Sequence, residues 1–434
     1  MLRKKTFNAL ISWLPLAAAL SACAGNSEMF ESGLKDTSLG KPLIADGKQP
    51  LSETKSDVNS ASAFLDSYRL ENLKPGKRPP NETDEGGLWL VADLEERKNR
   101  LAGNLITDEK LNSYVRSVLC RLTGPYCAEI RLYIQRVPVF NAFMTPNGQM
   151  VVWSGLLLRA RNESEMAAVL GHEFGHYLRR HSLQRQRDTI AKSNFMAFAG
   201  IALSLGGAPA GSVELMQIMT RTSILAFGRD HEREADGYGL RVLYDSNYDL
   251  HSAGAMWGLV QKEEKAAGKE EIYNPFTFTH PSSAEREAEL NKLADMLAKK
   301  QGKNELGRER YLEHILPWRA AFLEDEISRK PQKQALALID LLIEDGVRLG
   351  ELYFFKGEVH RRSNQKEGPE EALKLYKKAI EHEGAPPEVY RSMALAHLAQ
   401  NQKELSKSDF ETYLARAPQA SDAKLILMQI EAMK

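Results

Sequence analysis

Apolar residues recur at helical spacing over residues 108–122, and again at Met166, Val169, Leu170, Tyr177 and Leu178. The second run opens on Asn162 followed by Glu165, the signature of a helix N-cap with its reciprocal partner. Between the two helices, residues 130–137 and 149–153 alternate or run apolar, as short strands do. A charged but small-residue-rich helical stretch follows around 228–239. An apolar run at 195–205 stops after eleven residues at Gly206-Gly207-Ala208-Pro209-Ala210-Gly211. Eleven residues make about half a bilayer span, so the run is expected to be a core helix or a gating element in a soluble chain. Residues 24–80 are rich in Ser, Gly, Asp, Lys and Pro and read as a tether, with one short helix at 63–73.

From about Arg308 the pattern becomes wholly helical and repetitive. Tyr376 aligns with Phe410, Ala372 with Ser406 and Gly384 with Pro418, each 34 residues on. Residues 353–357 and 390–394 fall at first-helix positions 37 apart, which puts a three-residue insertion near 363–367. The period is that of tetratricopeptide (TPR) repeats, helix pairs that stack around a groove for peptides or partner proteins. A generic helical bundle is the plainer alternative. A degenerate pair is expected at 311–329 and 332–344, and a capping helix at 423–433.

Composition changes this picture in two places. The 434 residues carry 58 basic and 58 acidic side chains with no basic stripe, which argues against a nucleic-acid partner. The chain begins Met1-Leu2-Arg3-Lys4-Lys5, and an apolar stretch from Phe7 to Ala22, broken at Pro15, ends Leu20-Ser21-Ala22-Cys23. That layout is a signal peptide closing on what looks like a bacterial lipobox, with Cys23 as the acylated residue. Ala24, not Asp, follows, which favours an outer-membrane anchor facing the periplasm. Two of the three cysteines remain, Cys120 and Cys127, spanning a Gly124-Pro125 turn. In an oxidising compartment they are expected to form a disulfide; a metal-binding pair is the alternative.

The chemistry centres on His172-Glu173-Phe174-Gly175-His176. Two histidines four apart share a helix face and can grip one metal ion, and Glu173 beside them can serve as general base. A third ligand must come from farther along, because His181 is too close and is expected to cap or solvate the helix end. Glu232 is the candidate, 56 residues after His176, with Asp236 one turn on to orient a ligand histidine. Small Ala235, Gly237 and Gly239 would let the two helices approach.

H-E-x-x-H followed by E-x-x-A-D resembles the zinc metallopeptidases that include the CAAX prenyl proteases, HtpX, the mitochondrial Oma-type proteases and the periplasmic BepA-like proteases. Asn141-Ala142-Phe143, Pro146-Asn147-Gly148 and the 151–157 run resemble that family's N-A-F, P-x-G and G-L-L segment, and Thr279-His280-Pro281 with Arg286 its T-H-P…R element. Trp153 and Ser154 stand where smaller strand-formers are usual. The similarity covers about residues 85–290. It implies His172, His176 and Glu232 as ligands of one zinc ion, Glu173 as catalytic base and Asp236 as assisting acid. His280 and Arg286 are candidate helpers: His280 either steadies the transition state, occupies the water position as a latch, or is simply a solvated loop histidine. The 151–153 segment is expected to be the sheet edge that receives substrate.

The expected architecture is α+β and mostly helical: a signal peptide at 1–22, a tether at 23–84, a gluzincin-like metallopeptidase domain at 85–305 and an all-α TPR solenoid at 306–434. The expected function is a lipid-anchored periplasmic zinc endopeptidase acting on misfolded or misassembled envelope proteins, with outer-membrane assembly machinery as a partner through the TPR groove. The competing reading is a chaperone or adaptor with minor or latent proteolysis.

Overall fold

The computed structural model describes residues 57–70, 77–191, 212–268, 280, 284–328 and 332–433. The expectations for 1–22, Cys23, the run at 195–205 and the segment 274–281 apart from His280 fall outside them.

Helix α1 (Asp57–Ser67) precedes α2 (Asp84–Arg100) and α3 (Glu109–Thr123). The short helix expected within the tether forms earlier than its pattern suggested, and it is packed, with Ala61, Phe64 and Leu65 buried in the main core. Asp108 caps α3 by accepting from the Leu111 N–H. Past α3, a 3-10 turn carries Cys127 back to Cys120 and the two are joined in a disulfide.

Three short strands follow: β1 (Arg131–Gln135), β2 (Ala142–Met144) and β3 (Gln149–Trp153). Their order is β1-β3-β2, with β3 parallel to β1 and antiparallel to β2. Val151 pairs with Tyr133 on one side and Phe143 on the other. The 151–153 segment is therefore the centre of the sheet, not its edge. The reason is visible in its burial: Gln149 to Val152 are all buried, and a strand covered on both sides reads as a continuous apolar run. β2 takes the edge.

Helix α4 (Ser154–Arg159) leads directly into α5 (Glu163–Leu178), and α5 crosses the long α6 (Ser212–Asp245). Asn162 accepts from the Glu165 N–H at 2.9 Å, and Glu165 reaches back to the N–H of Arg161 at 2.8 Å, one residue before the expected partner. A Cβ at Gly175 would lie 2.8 Å from the Ala235 carbonyl oxygen, and one at Gly239 3.2 Å from the His172 nitrogen, so a side chain at Gly175 would force the helices to shift and one at Gly239 would crowd them. Gly237 has a different task. Its Cβ would strike the Tyr68 ring, which docks there rather than against α5.

Helices α7 (Ser252–Ala267) and α8 (Ala284–Gln301) complete the surround, and α9 (Arg308–Ile327) and α10 (Gln332–Glu344) follow. The rest is helix pairs: α11 (Leu349–Arg361) with α12 (Gly368–Ile380), α13 (Glu388–Ala399) with α14 (Lys403–Arg416), then α15 (Ala423–Glu431). Tyr376 and Phe410, 34 residues apart, are both fully buried, as are Ala372 and Ser406. The α11–α12 connection has six residues and the α13–α14 connection three, so the three extra residues sit in the expected loop.

One buried charge cluster joins these layers. Arg159, 1% exposed, donates to both oxygens of Glu263 on α7 at 2.7 Å and to Glu326 on α9 at 3.3 Å, while Gln334 on α10 donates to Glu263 at 2.9 Å. Removing only the cation would strand two buried carboxylates. Arg159→Met is expected to cost about 3–5 kcal/mol in denaturant unfolding. A loss under about 1 kcal/mol would show that the cluster does not hold the layers together.

Candidate metal centre

His172 and His176 lie one turn apart on α5, and α6 brings Glu232 across to them. His172 Nε2 and His176 Nε2 are 3.1 Å apart, and Glu232 carboxylate oxygens lie 3.3 and 3.4 Å from them. His280 enters from beyond α7: its Nδ1 is 3.3 Å from His172 Nε2 and 3.1 Å from both Glu232 oxygens. One ligand atom from each of these four buried residues falls within 4.8 Å of every other. Two imidazole nitrogens and a carboxylate oxygen converging in a buried pocket fit a zinc ion.

Glu173 lies beside this cluster, 2% exposed, with Oε1 3.5 Å from His280 Nε2 and making no hydrogen bond. Burial raises its carboxyl above the ordinary range, against the pull of His280 and His172. A base with raised affinity for a proton, aimed at the cluster, suits proton abstraction.

The side chains of this cluster are held from behind. Asp236 Oδ1 is 3.0 Å from His172 Nδ1, as expected for an orienting carboxylate. Arg286 grips Asp236 with two hydrogen bonds of 2.6 and 2.7 Å, places Nη1 2.9 Å from Glu232, and stacks on Trp257 with its Cζ 4.0 Å from the ring centroid. In this arrangement Arg286 braces two metal-facing groups. Burial works against charging His172, but Asp236 and Glu232 outweigh it and push the imidazole up to about 9. His176 goes the other way, pushed well down by burial and by His172.

Sequence reasoning misplaced His181. It is 1% exposed, with Nδ1 2.8 Å from His176 Nδ1 and Nε2 2.9 Å from Glu234. Arg180 adopts a left-handed conformation, φ 54°, which breaks the helix and swings His181 back beneath His176. Helical spacing alone cannot signal that. Trp257 was also missed; no motif marks it.

The fold and site place the chain in a class. Residues 106–294 match the family model described as peptidase family M48, so the chain carries an M48 metallopeptidase domain with a site for one zinc ion. Among similar proteins is the mitochondrial metalloendopeptidase OMA1 of Schizosaccharomyces pombe, 32% identical over 196 residues, covering 44% of this chain and 55% of that one. The beta-barrel assembly-enhancing protease of Escherichia coli K12 is 26% identical over 215 residues, 48% of this chain and 44% of its own. The human mitochondrial metalloendopeptidase OMA1 is 26% identical over 220 residues, 48% and 41% respectively. The chain thus spans about half the length of the curated relatives it matches.

Proposed function

We propose that this protein is a zinc metalloendopeptidase of the bacterial envelope that cleaves misfolded or misassembled proteins, outer-membrane proteins among them. The carrying observation is the convergence of His172, His176 and Glu232 with Glu173 poised beside them. A relative named as a beta-barrel assembly-enhancing protease supports the substrate class. Zinc held by these three residues would supply Lewis acidity to polarise a scissile carbonyl and acidify a water. Glu173 would take the water proton and pass it to the departing amine. Asp236, braced by Arg286, would keep His172 in the tautomer that presents Nε2. Substrate backbone would pair with the open edge of β2, which lies against α5, an approach that needs little side-chain specificity.

His280 places Nδ1 among the ligand groups and Nε2 toward Glu173. As a fourth ligand it would fill the position a catalytic site keeps open for water. The enzyme would then rest in a latched state and work when His280 withdraws. The same observation favours the second reading, a TPR adaptor whose proteolysis is latent. The 34-residue equivalence of buried Tyr376 and Phe410 supports TPR-like pairs, whose groove would bind assembly machinery or substrate. The reading is tested by metal analysis, expected to return one zinc per chain, and by identifying proteins trapped on Glu173→Gln.

The 20–23 segment motivates a lipid anchor at Cys23. Cys23→Ser is expected to release the protein to the soluble periplasm or leave its signal uncleaved. Unchanged membrane fractionation with normal processing would contradict the anchor. Among the described residues no helix is long and apolar enough to cross a membrane.

A further inference from the structure

We propose that His181 is a positioning residue that fixes the tautomer of His176 through a chain ending at Glu234. The proposal rests on the zinc reading above and assigns a role to a group outside its ligands.

The two ligand histidines are braced differently. His172 Nδ1 meets a carboxylate directly, at 3.0 Å from Asp236. His176 Nδ1 meets a second imidazole, at 2.8 Å from His181 Nδ1. Two facing ring nitrogens form a hydrogen bond only when one carries the proton and the other offers a lone pair. With His176 Nε2 facing the cluster as a ligand, its proton must sit on Nδ1, so His181 Nδ1 is the acceptor. His181 then carries its own proton on Nε2 and donates to Glu234 Oε2 at 2.9 Å. Glu234 is in turn paired with Arg179 at 2.7 Å. Every donor in this chain faces an acceptor, and reversing any one link puts two protons or two lone pairs in opposition.

The rest of the pocket holds the His181 ring in that orientation. His231 stacks on it at 4.2 Å with the planes 14° apart, and His231 Nε2 lies 3.1 Å from Gln184 Oε1. A loose surface histidine would show neither the burial nor the stack. The chain links the segment after α5 to α6, so it ties the helix that supplies two ligands to the helix that supplies the third. Losing such a partner typically weakens metal binding by about 10–100-fold.

The test is zinc affinity of the full chain, measured by competition with a chromogenic chelator, with the melting temperature of each chelator-stripped protein recorded alongside. His181→Phe keeps the ring and its stack but removes the acceptor; a zinc affinity about 10–100-fold weaker is expected. His181→Gln restores an oxygen acceptor and is expected to recover most of that loss. Glu234→Ala, at a side chain about a third exposed, is expected to weaken zinc in the same direction by less, and covers the case in which His181→Phe does not fold. Parent-like affinity in both His181→Phe and Glu234→Ala overturns the proposal while leaving the zinc reading intact. Equal weakening in His181→Phe and His181→Gln also overturns it, because the acceptor would not be what matters. A parent protein that takes up no zinc removes both readings together.

Discussion

Glu173→Gln is expected to keep one zinc per chain and to lower kcat on an unfolded protein substrate by about 10²- to 10⁴-fold. The two halves of that result have separate causes. Glu173 contributes no atom to the group of four that can hold a metal, so the donor set survives the substitution. What disappears is the proton acceptor: burial raises the Glu173 carboxyl's affinity for a proton, and an amide in its place has none to offer. Metal analysis and a peptide-bond assay on the same preparation read both halves. Activity retained with zinc bound would remove Glu173 as the base. Loss of zinc along with activity would instead assign it a ligand role that the geometry does not suggest.

His280→Ala carries the second large effect, and its sign discriminates. Latched and open forms exchange, and only the open fraction cleaves, so the observed kcat/KM is the intrinsic value scaled by that fraction. If the open form is about a tenth of the population or less, deleting the latch raises basal kcat/KM by about tenfold or more. Zinc should stay bound through His172, His176 and Glu232. A fall in kcat with zinc retained would mean that the imidazole serves the transition state, and the latch would be withdrawn. No change in either measurement would leave His280 without a functional role.

Much of the site was legible because helix geometry is regular. Four-residue spacing placed His172 with His176, and Glu232 with Asp236, on common faces, and small residues at 235 and 239 announced a close crossing. What escaped were features that depend on breaks in regularity. His181 reaches His176 only because Arg180 turns left-handed, a conformation that a non-glycine side chain does not advertise. Gly237 reads like its neighbours at 235 and 239, yet it is reserved for Tyr68, 169 positions earlier in the chain. Strand order was equally hidden. A five-residue apolar strand looks the same at the centre of a sheet as at a half-covered edge, and only its two partners distinguish them. The cysteine pair was legible for the opposite reason, since a short loop with a central turn leaves few ways to place the two residues.

The Arg159 cluster bears on how the molecule can be dissected. A change of sequence character near residue 305 invites a cut there, to obtain a smaller protease without its helical tail. Such a fragment would lack Glu326, Gln334 and Tyr311, whose hydroxyl donates to the Leu157 carbonyl oxygen at 2.6 Å. Half of a dry electrostatic seam would become wet, and α4, which leads directly into the zinc helix, would lose its backing. By this account a fragment ending after α10 is expected to unfold at higher denaturant than one ending at residue 305, because only the longer one keeps Glu326 and Gln334 against the Arg159 cluster.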